Sequence, residues 1–115
     1  MHKHAISFRH AFAGIWLAIT SQANIRIHVF VGSIVLLFAT YLNIPFAEIL
    51  VLILTIALVL LAEMVNTSIE FLADSVTLEH HEYIKNTKDV AAGAVLLTVI
   101  FAVCIGLIIF VPKVI

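Results

Sequence analysis

An apolar run without a single charged residue extends from Val90 to Val111. At about 1.5 Å per residue, a helix of this length crosses a hydrocarbon core of about 30 Å. A second apolar run begins near Pro45, and the segment from Ile27 to Leu42 is nearly as apolar. The sequence therefore predicts an all-α protein with three transmembrane helices.

The amino-acid composition agrees with membrane insertion. The chain is 63% hydrophobic and 11% charged, and its mean hydropathy is +1.21. These values lie far from those of a soluble globular domain. A formal net charge of −1 and the absence of a basic run give no indication of nucleic-acid binding. We expect a small integral membrane protein.

The boundaries follow from the apolar periodicity and from the breaks between the runs. Phe8, Phe12 and Ile15 recur at helical spacing near the N-terminus, and Trp16 is suited to the membrane interface. Pro45 disfavours helix in the residue before it and suits the first turn of a new helix. We expect one domain over 1–115, with a surface helix over about 5–21, spans over about 25–43, 45–74 and 88–111, and a polar loop or short surface helix over 75–87.

The distribution of lysine and arginine predicts the orientation. Basic residues occur in the N-terminal segment and in the connection between the second and third spans, at Lys85 and Lys88, whereas the connection around Asn43 has none. The positive-inside rule therefore places the N-terminus and the segment 75–87 in the cytoplasm. Three spans make a thin monomer, so we also expect a homo-oligomer.

The end of the second predicted span carries a polar stripe. At 100° per residue, Glu63, Asn66, Glu70 and Asp74 share one face of a helix. A helix that leaves the bilayer and becomes acidic would explain the presence of Asp74. It would not explain Glu63, because apolar turns still follow that residue. Carboxylates inside a membrane span are costly to bury and by default indicate function.

The depth of these side chains suggests different roles. Glu63 lies deepest and is least hydrated, which suits a general base acting on a hydroxyl. Glu70 and Asp74 are one turn apart and nearer the cytoplasm, where oxygen ligands suit a hard divalent cation. Asn66 either orients a carboxylate or phosphate, or forms a hydrogen bond between helices.

Polar residues at the start of the third predicted span form a second group. We expect Thr87 to cap this helix and Asp89 to lie in its first turn, where the helix dipole favours an acidic residue. A lysine is unfavourable there, so Lys88 suggests an anionic partner such as phosphate. Arg26 is a candidate contact for lipid headgroup phosphate or a membrane anchor. The histidines, including an isolated His28, form no metal-binding set, and we expect surface or headgroup contacts for them.

Four motifs together resemble the prokaryotic integral-membrane diacylglycerol kinases and undecaprenol kinases. They are NIRIH before the first span, EMVNTSIE followed by Asp74, EHHEY in the polar segment, and KDVAAGAV at the third span. The RIH form is more similar to the undecaprenol kinase branch. The resemblance implies an ATP- and Mg²⁺-dependent lipid kinase of the bacterial plasma (inner) membrane, with a homotrimer whose active sites are shared between subunits.

The same resemblance implies roles for individual residues. Glu63 would be the catalytic base toward the lipid hydroxyl, and Glu70 would be a Mg²⁺ ligand. The nucleotide would be surrounded by Asn66, Glu70, Asp74, Lys88 and Asp89. Family members usually have glutamate as a second metal ligand where this chain has Gln22, an amide without charge. Two alternatives remain open, namely a small oligomeric transporter and a kinase relative impaired by Gln22.

Overall fold

The computed structural model describes residues 2–76 and 81–115 and, within the first helix, the side chains from Ser7 onward. In this part of the chain all regular structure is helical: α1 (His2–Ser21), α2 (Ala23–Tyr41), α3 (Phe46–Val76) and α4 (Glu82–Val114). The last three helices are long and apolar enough to cross a membrane. This confirms the all-α class with three candidate spans after an N-terminal helix.

Helix α1 places large apolar side chains on its outer surface. Phe8 and Trp16 are 70% and 69% exposed, whereas Ala18 is buried. Gly14 and Ala18 border a small cleft with Met64 of α3. The exposed aromatic side chains suit the membrane interface, as expected for a helix that lies on the membrane.

The connection between α2 and α3 explains how the chain reverses direction. Asn43 has a left-handed backbone with φ 57°, a conformation that asparagine tolerates better than most residues. The Ile44 N–H donates to the Ala39 carbonyl at 3.0 Å, and the Asn43 N–H donates to the Thr40 carbonyl at 3.1 Å. This is the Schellman arrangement, which satisfies carbonyl groups at the end of a helix. The predicted break around Pro45 is confirmed.

Helix α3 is the central element, since it packs against both α2 and α4. A small core cluster near the α2–α3 turn contains Ala39, Ile44, Leu52 and Ile109. Most other large apolar side chains of the spans are exposed, as expected for surfaces that contact lipid. Helix α3 is thus packed between its neighbours near the α2–α3 turn, and the polar stripe of α3 lies toward the other end of this helix.

Helix α4 differs from the prediction at both ends. It begins at Glu82, so residues 82–87 belong to the helix and not to a loop. An ion pair between Lys85 and Asp89, one turn apart, supports this polar first part. At its other end α4 continues three residues past the predicted span, through Pro112 to Val114, because a proline near a helix end removes only one backbone hydrogen bond. Residues 77–80 of the polar segment lie outside the described residues.

Candidate active site

The polar stripe of α3 runs from a buried end to an exposed end. Glu63 is 4% exposed, Asn66 and Glu70 are partly buried, and Asp74 is exposed. The order of burial follows the order along the helix, as the depth interpretation requires. The four polar groups on this helix face therefore lie at three levels of burial.

Glu63 occupies a packed environment between α2 and α3. Its Oε2 atom lies 3.7 Å from His28 Nε2 on α2. Its backbone carbonyl accepts a second hydrogen bond from Thr67 Oγ1 at 2.9 Å, and Thr67 is also buried. A carboxylate at this depth is unfavourable unless a polar partner compensates for the lost water, and among the described residues His28 is the only basic side chain within ion-pair distance.

The contact with His28 was not anticipated from the sequence. The expectation of a surface or headgroup contact is wrong for His28, because this side chain lies partly buried against α3. The signal was the occurrence of a lone ionisable residue inside an apolar span. Its partner could not be read from the sequence, since the contact depends on how α2 is aligned against α3.

Helices α2 and α3 are closely packed at Gly32, where the Ile56 side chain lies against the α2 backbone. A Cβ atom added to Gly32 would lie 2.9 Å from Ile56 Cγ2, a distance that side chains do not tolerate. Gly32 is one turn from His28, and Ile56 is two turns from Glu63 on the same helix face. Glycine therefore allows α2 to pack closely on α3 about one turn away from the contact between His28 and Glu63.

Asn66 faces a groove between α3 and α4. Its side-chain oxygen is buried, and no hydrogen-bond partner for it occurs among the described residues. The groove also contains the polar side chains of Tyr83, Asn86 and Thr87. An interhelical hydrogen bond to this oxygen is thus absent from the described part of the chain, and the acceptor is unpaired there.

The exposed end of the stripe is joined to α4 by an ion pair. Lys88 Nζ lies 2.6 Å from Asp74 Oδ1, and both side chains are substantially exposed. The neighbouring Lys85 and Asp89 form a second pair within α4, also at 2.6 Å. The structure therefore brings Asp74, Lys88 and Asp89 to one region at the polar end of the helices.

Two local expectations for α4 are wrong, namely that Thr87 caps the helix and that Asp89 lies in its first turn. Thr87 does not cap the helix, because His81 occupies the N-cap position and Thr87 Oγ1 donates to the Tyr83 carbonyl within the helix. Lys88 therefore lies well inside α4, where the dipole argument does not apply. The anionic partner seen for Lys88 is Asp74.

Gln22 and Arg26 lie at the junction between α1 and α2. Gln22 is the N-cap residue of α2, with φ −119° and ψ 112°, and its side chain makes no capping hydrogen bond. Arg26 Nη1 donates to the carbonyls of Ile19 at 2.8 Å and Thr20 at 3.1 Å. The guanidinium thus satisfies two carbonyl groups at the end of α1, a role that the sequence interpretation did not include.

The donor chemistry near this end is compatible with Mg²⁺. Among the described residues, no group of three or more His, Cys, Asp or Glu side chains is arranged to hold a metal. Magnesium is, however, usually held by one or two carboxylates together with water and substrate phosphates. Glu70 has no ion-pair partner in the described part of the chain, and Gln22 has an uncommitted amide oxygen. Each of these residues has the donor chemistry of that pattern, one as a carboxylate and one as a neutral amide.

An apolar groove lies between the three candidate spans α2, α3 and α4. It has a volume of about 370 Å³ and is lined by residues of α2, α3 and α4 that include Val59, Ala102 and Phe110. His28 lies on the same lining. The imidazole thus contacts both the groove and the buried Glu63.

Comparisons with known proteins agree on one family. A profile of the prokaryotic diacylglycerol kinase family matches residues 9–110. A diacylglycerol kinase of Synechocystis sp. is 44% identical over 102 residues, which cover 88% of this chain but only 58% of that protein. An undecaprenol kinase of Bacillus subtilis is 36% identical over 107 residues, which cover 93% of this chain and 87% of the relative. A diacylglycerol kinase of Pseudomonas aeruginosa is 33% identical over 93 residues, which cover 79% of this chain and 76% of that protein.

Proposed function

Because the chain belongs to the prokaryotic diacylglycerol kinase family, we propose that it is an ATP- and Mg²⁺-dependent lipid kinase. It transfers the γ-phosphoryl group of ATP to the hydroxyl of a membrane lipid alcohol. The observation that carries this proposal is Glu63, a carboxylate that is 4% exposed within a candidate membrane span. A lipid kinase needs a proton acceptor at the depth where a lipid hydroxyl lies, and Glu63 meets that need.

In the proposed reaction Glu63 is the catalytic base. The lipid O–H bond breaks as its oxygen bonds to the γ-phosphorus, and the proton passes to the Glu63 carboxylate. The bond between the γ-phosphorus and the β,γ-bridging oxygen breaks, and ADP leaves with that oxygen. Phosphoryl transfer of this kind depends mainly on the positions of the reactants and on charge stabilisation.

The nucleotide is proposed to bind at the less buried end of the stripe. Asn66 offers an uncommitted side-chain oxygen, and Lys88 offers a positive charge for phosphate. Asp74 and Asp89 hold the lysines of α4 in ion pairs, so their proposed role is to place those cations. Arg26 is proposed to contact a lipid headgroup. This role is secondary, because its guanidinium already donates to carbonyl groups of α1.

Glu70 is proposed as the principal Mg²⁺ ligand, with Gln22 as a neutral second ligand. When bound, Mg²⁺ supplies charge neutralisation for the phosphate oxygens. Glu70 provides the charged oxygen, and its partial burial limits the competing water. The amide of Gln22 adds a donor without charge, so metal affinity depends mainly on Glu70.

We further propose a homotrimer in the bacterial plasma membrane, with the N-terminus and the active site in the cytoplasm. The polar end of the helices carries most of the lysine and arginine residues, which supports this orientation. Native mass spectrometry in detergent tests the assembly against a monomer mass of 12.7 kDa. A monomeric active enzyme would overturn the trimer.

Phosphorylation of defined lipids tests the proposed activity. The purified protein in detergent is supplied with radiolabelled ATP, Mg²⁺ and either diacylglycerol or undecaprenol, and lipid phosphate is extracted and quantified. We expect Mg²⁺-dependent product from at least one lipid, and the ratio of the two rates identifies the preferred acceptor. The absence of product from both lipids, under conditions in which the Bacillus subtilis relative is active, would overturn the kinase function.

A further inference from the structure

The contact between His28 and Glu63 extends the proposed site beyond the polar stripe of α3. The two side chains come from different helices, with His28 Nε2 and Glu63 Oε2 3.7 Å apart. No other basic side chain of the described residues lies within ion-pair distance of Glu63. The remaining ion pairs involve Asp74 and Asp89 at the exposed end.

The two partners differ in their access to the surroundings. The His28 side chain is 27% exposed and the Glu63 side chain is 5% exposed. His28 also lines the apolar groove between α2, α3 and α4. Of the two partners, His28 is therefore the one that reaches the groove.

We propose that His28 is a positioning residue that directs its Nε2–H toward Glu63 Oε2 and thereby orients the proposed catalytic base. This inference rests on the proposed function, since it assigns Glu63 the role of base. A distance of 3.7 Å is longer than a hydrogen bond and too short for a bridging water. Catalytic hydrogen bonds are often long without substrate and shorten in the working complex.

A buried carboxylate that lacks a donor is poorly oriented and costly to desolvate. His28 provides the donor, and the close approach at Gly32 holds its helix against α3. The carboxylate oxygen that does not face His28 is then left to accept the hydroxyl proton. His28 acts through Glu63, so its loss affects the chemical step more than nucleotide binding.

Two substitutions separate the hydrogen-bond donor from the volume of the imidazole. His28→Leu keeps an apolar side chain of similar size and removes the donor, whereas His28→Gln retains an amide N–H near the position of Nε2. We expect His28→Leu to lower kcat by about 10- to 100-fold, the size typical of a partner that orients an active-site group, with little change in KM for ATP. We expect His28→Gln to recover most of the lost turnover.

A matched control lies on the same groove. Thr55 also lines it, and its hydroxyl donates to the Val51 carbonyl within α3. Thr55→Val removes a polar group from the groove without removing a partner of Glu63, and we expect unchanged kinetics. Thermal denaturation of each variant identifies any loss of folded protein.

An infrared measurement tests the contact independently of turnover. The difference spectrum between the unmodified protein and Glu63→Gln contains the carboxyl bands of Glu63, and their frequency depends on hydrogen bonding. We expect the bands to shift in His28→Leu and to remain near their original position in His28→Gln.

Two results would overturn the positioning role in an active enzyme. One is full turnover by folded His28→Leu with unshifted Glu63 bands, and the other is equal loss of turnover in the leucine and glutamine variants. An unmodified protein that phosphorylates neither lipid would instead overturn the proposed function. In that case the carboxyl bands still decide whether His28 is the partner of Glu63.

Discussion

The two ends of the polar stripe on α3 are built in different ways. At the buried end, Glu63 meets His28 of α2 at 3.7 Å, whereas at the exposed end Asp74 pairs with Lys88 of α4 at 2.6 Å. The exposed pair contributes at most about 1 kcal/mol to stability, as other exposed ion pairs do. The buried carboxylate carries a desolvation cost of several kcal/mol. The shorter contact is therefore the weaker indication of function.

The largest expected effect concerns the buried end. Glu63→Gln keeps the size of the side chain but removes the proton acceptor, so we expect turnover to fall by about 10²- to 10⁴-fold while ATP binding is retained. Initial rates of lipid phosphorylation and equilibrium binding of ATP measure the two properties separately.

Glu48→Gln is the matched control for this substitution. Glu48 is another carboxylate of the same helix. It lies in the first turn of α3, at the opposite end from the stripe. We expect normal turnover from this variant. Normal turnover by Glu63→Gln as well would assign the base to another residue and remove the distinction between the two ends.

The middle of the stripe is tested by Glu70→Gln. Because Glu70 is the proposed charged Mg²⁺ ligand, we expect the Mg²⁺ concentration for half-maximal activity to rise by more than about tenfold. Changes to residues that only support a metal ligand already lower metal affinity by about tenfold or more. Activity should recover partly at saturating Mg²⁺. An unchanged Mg²⁺ dependence would show that Glu70 belongs with the structural ion pairs of the exposed end.

Sequence patterns predicted the helices better than their contacts. The apolar runs gave the spans because helix length must match membrane thickness, and Asn43 to Pro45 correctly indicated the break between α2 and α3. The first residues of α4 were assigned to a polar segment because a helix that extends into water has no hydropathy signal. The ion pair between Lys85 and Asp89 stabilises that extension.

The candidate site was predictable to the extent that it lies on one helix. The period of 3.6 residues placed Glu63 to Asp74 on one face, and the structure adds the order of burial. Contacts between helices were not predictable in the same way. His28 meets Glu63 one turn from the point where Gly32 packs against Ile56, and a single sequence does not specify that alignment.

The close approach itself gives the next prediction. In Gly32→Ala the added Cβ would lie 2.9 Å from Ile56 Cγ2, so either the Ile56 side chain or the backbone of α2 must shift. Overpacking of this kind costs about 1 to 3 kcal/mol, and we expect lower thermal stability together with reduced turnover. Gly106→Ala is the control, because its Cβ would meet nothing within 4 Å. Equal stability of the two variants would show that the packing at Gly32 adjusts without cost. The close contact at Gly32 would then not be what brings His28 to Glu63.

A smaller effect is expected at Gln22. The substitution Gln22→Glu adds a charge to the proposed metal site, and at a partly exposed position it should contribute about 1 kcal/mol, or about fivefold in Mg²⁺ affinity. Titration of activity with Mg²⁺ measures the change. Increased affinity supports Gln22 as a ligand, whereas increased turnover without increased affinity would point to another role at this junction.

The smallest expected effect is at the exposed end, where a double-mutant cycle with Asp74→Asn and Lys88→Gln measures the ion pair. We expect a coupling free energy of about 0.2 to 1 kcal/mol in thermal denaturation. If Lys88 also contacts nucleotide phosphate, Lys88→Gln raises KM for ATP more than Asp74→Asn does, because only the first removes the cation. Equal KM values for the two single variants would make this pair purely structural, and function would then rest on the residues from Glu63 to Glu70.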